Sequence, residues 1–249
     1  MTAAQPHHGP TARFPVRKGG LEIGGMPLTQ LAARVGQTPF YAYDRRLLSE
    51  RVALLRDVLP SAIELHYAIK ANPMSAVVQH LAGLVDGLDV ASLGELTVAL
   101  DTSMDPERIS FAGPGKRLPE LAAAIAAGVV INLESCNETE TVARLSQAQR
   151  RPARVAVRVN PDFELKTAGM KMGGGPKPFG VDAEQVPALL HRIGELGLDF
   201  RGFHIFSGSQ NLRAEAIVEA HNRTFELALR LAADAPGPVR LLNIGGGFG

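Results

Sequence analysis

Short apolar runs that end in small or polar residues recur along the chain, with stretches of helical spacing between them. The runs fall at residues 63–68, 88–92, 109–112, 129–133, 155–159, 202–206 and 241–244. The intervening helical patterns cover 74–84, 94–100, 119–127, 138–147, 183–195 and 214–232. Strands apolar on both faces that alternate with helices predict a parallel sheet covered by helices. Seven such strands in one stretch of chain predict an α/β fold, a (β/α)₈ TIM-type barrel truncated after strand seven. A doubly wound open sheet is the rival reading. A further strand at 39–43 and a helix at 45–59 precede the first barrel strand, and residues 1–37 read as an N-terminal arm ahead of a barrel over 38–249. The chain closes on an apolar strand, Leu241-Leu242-Asn243-Ile244, that runs into Gly245-Gly246-Gly247-Phe248-Gly249. Such an exit normally feeds a covering helix, so the sequence reads as a piece of a longer protein.

In a barrel of this kind the chemistry lies at the carboxyl ends of the strands. Lys70-Ala71-Asn72-Pro73 follows the first run, Gly94-Glu95 the second and Gly113-Pro114-Gly115-Lys116 the third. Asn160-Pro161-Asp162 follows the fifth, Ser207-Gly208-Ser209-Gln210 the sixth and the glycine triplet the seventh. A lysine in low dielectric at a barrel mouth loses its proton more readily, and its neutral amine can attack a carbonyl. The plain alternative for Lys70 is a strand-end lysine reaching for solvent. Gly245, Gly246 and Gly247 lack side chains, so their backbone N–H groups can approach a phosphate, although turns use glycine too. Ser207 and Ser209 stand on the neighbouring loop and could donate to the same phosphate. An aldehyde cofactor held by a lysine at one end and by its phosphate at the other is pyridoxal 5′-phosphate.

Composition narrows the classes. Twenty-six Lys and Arg against 25 Asp and Glu leave a formal charge of +1, which offers nothing to nucleic acid or an acidic membrane surface. The apolar set is 45% and the charged set 20%, a globular balance. Cys136 is the only cysteine, which excludes an internal disulfide and fits a reducing, cytoplasmic setting. The longest apolar run, residues 121–131, contains Gly128 and is far short of the ~20 residues that span a bilayer. Residues 1–20 lack the compact apolar core of a signal peptide and read as a loose arm. No residues stand out as a metal site: His7-His8 is too short a cluster, and the glycines at 173–175 lack the strand–loop–helix setting of a phosphate loop. Cys136 reads as an incidental thiol.

The motifs in series are similar to those of the fold-type III pyridoxal-phosphate decarboxylases, which act on diaminopimelate, ornithine and related basic amino acids. His66-Tyr67-Ala68-Ile69-Lys70-Ala71-Asn72-Pro73 resembles that family's cofactor-lysine motif. Leu88-Asp89-Val90-Ala91-Ser92 with Gly94-Glu95-Leu96 resembles its second-strand motif, and residues 111–116 and 158–161 follow in family order. Gly202-Phe203-His204, Gly208-Ser209-Gln210 and Asn243-Ile244-Gly245-Gly246-Gly247-Phe248 resemble its sixth- and seventh-strand motifs. The resemblance covers roughly residues 38–249. Residues 170–177 and 204–210 further resemble a bacterial branch linked to exosortase-associated exopolysaccharide clusters.

The resemblance implies an alanine racemase-like barrel, a pyridoxal phosphate cofactor bound as an internal aldimine on Lys70, and decarboxylation of diaminopimelate or a related amino acid, a step of lysine biosynthesis. It implies that Gly245, Gly246, Gly247 and Ser209 or Ser207 hold the phosphate, and that Asp89 and Arg158 lie near the cofactor. The residue stacked on the pyridine ring is His204 in one alignment and Phe206 in another; His204 is preferred here. Asp89 and Arg158 could equally form structural polar contacts, and Glu95 could serve its helix start. The family's second, β-rich domain would pair with residues 39–43, lies outside these 249 residues, and would complete a homodimeric site. By that reading the longer parent is the decarboxylase and this piece alone is inactive. A racemase or cofactor-carrier barrel and a non-catalytic binding relative are the alternatives.

Overall fold

The computed structural model describes residues 13–163, 170–171, 178–209 and 213–246, and by compactness the chain divides after Glu64, later than the boundary expected after residue 37.

The first unit opens with an antiparallel meander of β1 (Val16–Arg17), β2 (Gly20–Ile23) and β3 (Met26–Pro27). Its two turns, Lys18-Gly19 and Gly24-Gly25, have φ of 50°, 76°, 59° and 78°. Positive φ at both central residues gives the turn whose twist matches that of paired strands. The α1 helix (Leu28–Val35) ends at Gly36, and α2 (Arg45–Val58) starts at Asp44. Asp44 Oδ1 accepts from the Arg46 N–H at 2.8 Å and Oδ2 from the Gly24 N–H at 3.3 Å, so one carboxylate caps the helix and holds the second turn. The expected loose arm is therefore folded from Val16 onward. Residues 39–43 run toward Asp44 without joining a ladder among the described residues, which corrects the expected strand; Tyr41 there is 90% exposed. A β-rich run becomes a strand only with a neighbour to pair with.

The second unit carries, in order, β4 (His66–Ala68), α3 (Ser75–Ala82), β5 (Gly87–Val90), α4 (Leu93–Leu100), β6 (Ile109–Phe111), α5 (Leu118–Ala127), β7 (Val130–Leu133), α6 (Cys136–Gln149) and β8 (Arg154–Asn160). Then follow β9 (Met170–Lys171), β10 (Val181–Asp182), α7 (Val186–Glu195), β11 (Asp199–Ile205), β12 (Gly208–Ser209), α8 (Ala214–Ala232) and β13 (Leu241–Asn243). The ladder β4-β5-β6-β7-β8-β11-β13 is parallel throughout, and β10 adds to β8. Strand order thus follows chain order without the reversal a doubly wound sheet requires. The sheet also curls. Asn243 Nδ2 on β13 reaches Asp89 Oδ2 on β5 at 3.2 Å, with four strands between them in the ladder. This is the incomplete barrel, and the seven expected strands are its staves.

Side-chain alternation sorts the strands into two layers. Leu88, Val90, Ile109, Phe111, Ile131, Leu133, Val155, Val157, Phe203 and Ile205 are buried in one apolar cluster with the helices. Most of the alternate positions are polar or small, with Val130 and Leu241 as apolar exceptions. The registers Ala68↔Asp89↔Ser110 and Arg158↔His204↔Asn243 place these residues on the concave face. Gly202 makes the last pairing possible: a Cβ there would lie 1.8 Å from the Leu241 carbonyl oxygen. With φ at +147° the position also suits glycine alone, and β11 bulges between Phe200 and Gly202.

Candidate active site

The concave face gathers one polar side chain from nearly every strand. His66 Nδ1 lies 3.3 Å from Asp89 Oδ1, and Asn243 Nδ2 holds the other carboxylate oxygen. Burial works to raise the Asp89 pKa, but the hydrogen bonds and the charge of His66 outweigh it and hold the carboxyl below its ordinary value. On the far side Arg158 Nη1 pairs with Glu134 Oε1 at 3.0 Å and with Oε2 at 3.2 Å, and its guanidinium lies over the Phe179 ring at 4.8 Å. Glu134 also accepts from the N–H groups of Gly113 (2.5 Å) and Gly180 (3.2 Å). One carboxylate therefore ties together the loops after β6, β7 and β8. Between β6 and β7, Asn132 Nδ2 donates to Ser110 Oγ at 2.6 Å.

His204 stands between these groups. Its Nδ1 is shielded from solvent and makes no hydrogen bond among the described residues. Burial, then the Arg158 charge, lowers its pKa to about 4; Asp89 and Glu134 oppose the shift, and Lys70 adds to it. A histidine that folds neutral protonates more readily in the unfolded chain, so stability is full above the unfolded value of about 6.5 and falls as pH drops from there toward 4. The low Asp89 pKa acts in the same direction at more acidic pH. Urea unfolding followed between pH 7 and 4.5 should show a steady loss, on the order of 2–3 kcal/mol for His204 alone, that His204→Asn largely flattens.

Lys70 lies past the strand, not on it. β4 ends at Ala68, and residues 69–71 form a 3₁₀ turn that leaves Lys70 exposed at the mouth. Tyr67 Oη donates to the Asn72 carbonyl at 3.1 Å and pins that turn, while Asn72 Oδ1 accepts from the Met74 N–H at 3.1 Å. The expected low-dielectric seat at a strand end is thus corrected to a solvent-facing turn, within electrostatic reach of His204.

The seventh-strand glycines differ among themselves. Gly245 adopts φ +74°, and its N–H donates to Asn243 Oδ1 at 2.8 Å. A Cβ at Gly245 would lie 2.3 Å from the Phe206 ring. Gly245 therefore shapes the turn, whereas among the described residues beyond its chain neighbours Gly246 has no atom within 4 Å of where a Cβ would stand. Gly247 and the Ser209 side chain lie outside the described residues. Ser207 is buried. His204 is two residues back inside β11, one layer deeper than Phe206.

Other candidates take structural places. Glu95 Oε2 accepts from the Ala91 N–H at 2.9 Å while the Glu95 N–H donates to Ser92 Oγ at 3.2 Å, a reciprocal cap on α4. Lys116 is 1% exposed; it pairs with Glu138 Oε1 at 2.9 Å and donates to the carbonyls of Gly113 and Asn132. Burial raises the Glu138 pKa despite that lysine. Cys136 is an exposed thiol at the start of α6. Glu134, Asn243 and His66 carry much of this geometry, yet sequence reasoning assigned them no role. The available signal was a lone polar residue on or just beyond an otherwise apolar strand.

A family model for the pyridoxal binding domain of pyridoxal-dependent decarboxylases matches residues 45–249. The chain belongs to that family. Pyridoxal 5′-phosphate is the family's cofactor, and the shielded, unbonded His204 nitrogen, the positive-φ glycine turn and the exposed lysine suit such a group. Among curated relatives, the L-glutamyl-(BtrI acyl-carrier protein) decarboxylase of Niallia circulans is 35% identical over 228 residues, covering 89% of this chain and 52% of its own. The diaminopimelate decarboxylase of Aquifex aeolicus is 35% identical over 236 residues, covering 94% and 56%. The structure of diaminopimelate decarboxylase from M. jannaschii in co-complex with L-lysine superposes with a TM-score of 0.81 at 26% identity, covering 95% of this chain and 57% of that one. The chain spans about half the length of the curated relatives it matches. Among the described residues no helix is long and apolar enough to cross a membrane.

Proposed function

We propose that this chain is the cofactor-holding part of a decarboxylase that acts on a free amino acid, diaminopimelate or a related basic one, in the cytoplasm and as a homodimer. The observation that carries the reading is the convergence, at the carboxyl ends of the strands, of an exposed lysine with Asp89, Arg158 and His204 beside a glycine turn. Lys70 supplies the amine that attaches the cofactor aldehyde. Gly246, Gly247 and Ser209 are assigned to the phosphate, with Gly245 giving the turn its shape. Phe206 presents a ring beside Gly245, and His204 lies beneath it with its neutral Nδ1 as a hydrogen-bond acceptor or donor, according to tautomer. Arg158 is held by Glu134 and so keeps a fixed positive charge at the site wall. Asp89, held ionised by His66 and Asn243, sets a negative charge opposite it. Bound pyridoxal phosphate supplies the electron sink that accepts the bonding pair left at Cα when carbon dioxide departs. The chain's part is to place the amine, the phosphate grip and these two charges around one ring.

The test is reconstitution with pyridoxal phosphate, borohydride reduction and peptide mapping, alongside CO₂ release from diaminopimelate, ornithine, lysine and arginine. A phosphopyridoxyl label on Lys70 is the expected result; a label on Lys116 or Lys171 overturns the site. The 249 residues alone are expected to take up the cofactor with negligible CO₂ release. Racemisation of any of the four amino acids without CO₂ release would replace the decarboxylase reading by the racemase one.

A further inference from the structure

A line of hydrogen bonds crosses the incomplete barrel from the strand that leads into the Lys70 turn to the glycine turn. His66, four residues before Lys70, lies 3.3 Å from Asp89 Oδ1 through its Nδ1. Asp89 Oδ2 accepts from Asn243 Nδ2 at 3.2 Å, and Asn243 Oδ1 accepts from the Gly245 N–H at 2.8 Å. The fold makes room for the line at both ends. The His66 ring lies across Gly87, where a Cβ would stand 2.4 Å from Cε1 and 2.5 Å from Nε2. The Gly245 turn is closed on its other side by the Phe206 ring.

Asn243 is the member whose chemistry no single substitution reproduces. It donates with its amide nitrogen to a carboxylate and accepts with its amide oxygen from a backbone N–H. An aspartate could keep the second bond but not the first, and it would set two carboxylates against each other. An alanine would keep neither.

We propose that Asn243 is a positioning residue that fixes the glycine turn relative to Asp89, and thereby sets the phosphate grip at a defined place with respect to Lys70. The proposal rests on the pyridoxal phosphate reading above. It makes the phosphate end of the ligand, and not its ring, the part that depends on Asn243.

The experiment compares the dissociation constants of pyridoxal phosphate and of phosphate-free pyridoxal, by absorbance titration, for the wild-type chain, Asn243→Asp, and the exchange Asp89→Asn with Asn243→Asp. The ratio of the two constants is the readout, because effects on the ring cancel in it. The wild type should prefer pyridoxal phosphate strongly, and Asn243→Asp should reduce that preference about tenfold, the worth of one charge-assisted hydrogen bond. The exchange rebuilds the line: an asparagine at 89 accepts from His66 and donates to the carboxylate at 243, which still accepts from Gly245. It should return the preference to within about threefold of wild type. Thermal unfolding of each variant establishes that it is folded. If Asn243→Asp keeps the full preference, or weakens both ligands equally, or if the folded exchange fails to restore the ratio, the proposal is wrong. A wild type with no preference for the phosphorylated ligand would instead overturn the reading of the site itself.

Discussion

Lys70→Ala is expected to abolish borohydride-stable labelling by pyridoxal phosphate and to weaken retention of the cofactor at least about a hundredfold, with almost no change in stability. The two halves of this expectation come from one observation. Lys70 is exposed on a turn held by other groups, Tyr67 Oη on the Asn72 carbonyl and Asn72 Oδ1 on the Met74 N–H. Truncating an exposed side chain with no packing role changes stability by roughly 0.5 kcal/mol or less. Chemically it removes the amine that closes the covalent link, leaving only phosphate and ring contacts. Lys116→Ala is the informative contrast. That ammonium is 1% exposed and paired with Glu138, so its loss should lower the melting temperature markedly while the label on Lys70 still forms in whatever protein remains folded. Labelling of the Lys70→Ala protein at wild-type level would show that the attachment point is elsewhere.

The barrel was legible because its outer layer is apolar and its helices are spaced at the helical period; the pattern placed α8 at Ala214–Ala232 without error. What periodicity could not show is which alternate residues of a strand face the concave side. In Val130-Ile131-Asn132-Leu133 every residue is buried, so the strand reads as a continuous buried run although Asn132 bonds to Ser110. Glu134 and Asn243 were hidden because the partners of Glu134 lie 21–46 residues away and Asp89 lies 154 residues from Asn243, separations on which local spacing carries no information. The meander at Val16–Pro27 was missed because its strands are two to four residues long, too short for alternation to register, though the Gly24-Gly25 pair was a turn signal. Conversely, 63–65 looked like strand and is not, since β4 begins pairing with β5 only at His66. Lys70, Asp89, Arg158 and His204 were named from motif and strand-end position, but the contacts that hold Asp89 and Arg158 had to come from the fold.

The largest loss of stability is expected at Glu134. Its side chain is 1% exposed and accepts four hydrogen bonds, two from Arg158 and one each from the N–H groups of Gly113 and Gly180. Removing the carboxylate leaves the Arg158 guanidinium, itself 11% exposed, without its counter-ion. It also leaves two backbone donors without their acceptor. Breaking a buried pair from one side costs about 3–5 kcal/mol, because the remaining charge keeps its desolvation penalty and loses its attraction. Each orphaned N–H adds about 1–3 kcal/mol where water cannot reach it. Glu134→Ala should therefore be folded only marginally, if at all, at 25 °C. Glu134→Gln is the graded probe, since its amide oxygen can still accept from Gly113 or Gly180 while the charge is gone; a loss of about 2–3 kcal/mol in urea unfolding is expected. Arg158→Met in the Glu134→Gln background should recover part of it, because an uncharged, flexible side chain of similar length no longer demands a partner. If Glu134→Ala unfolds within about 1 kcal/mol of wild type, the three loops are held by something other than this carboxylate, and the fixed charge assigned to Arg158 loses its support.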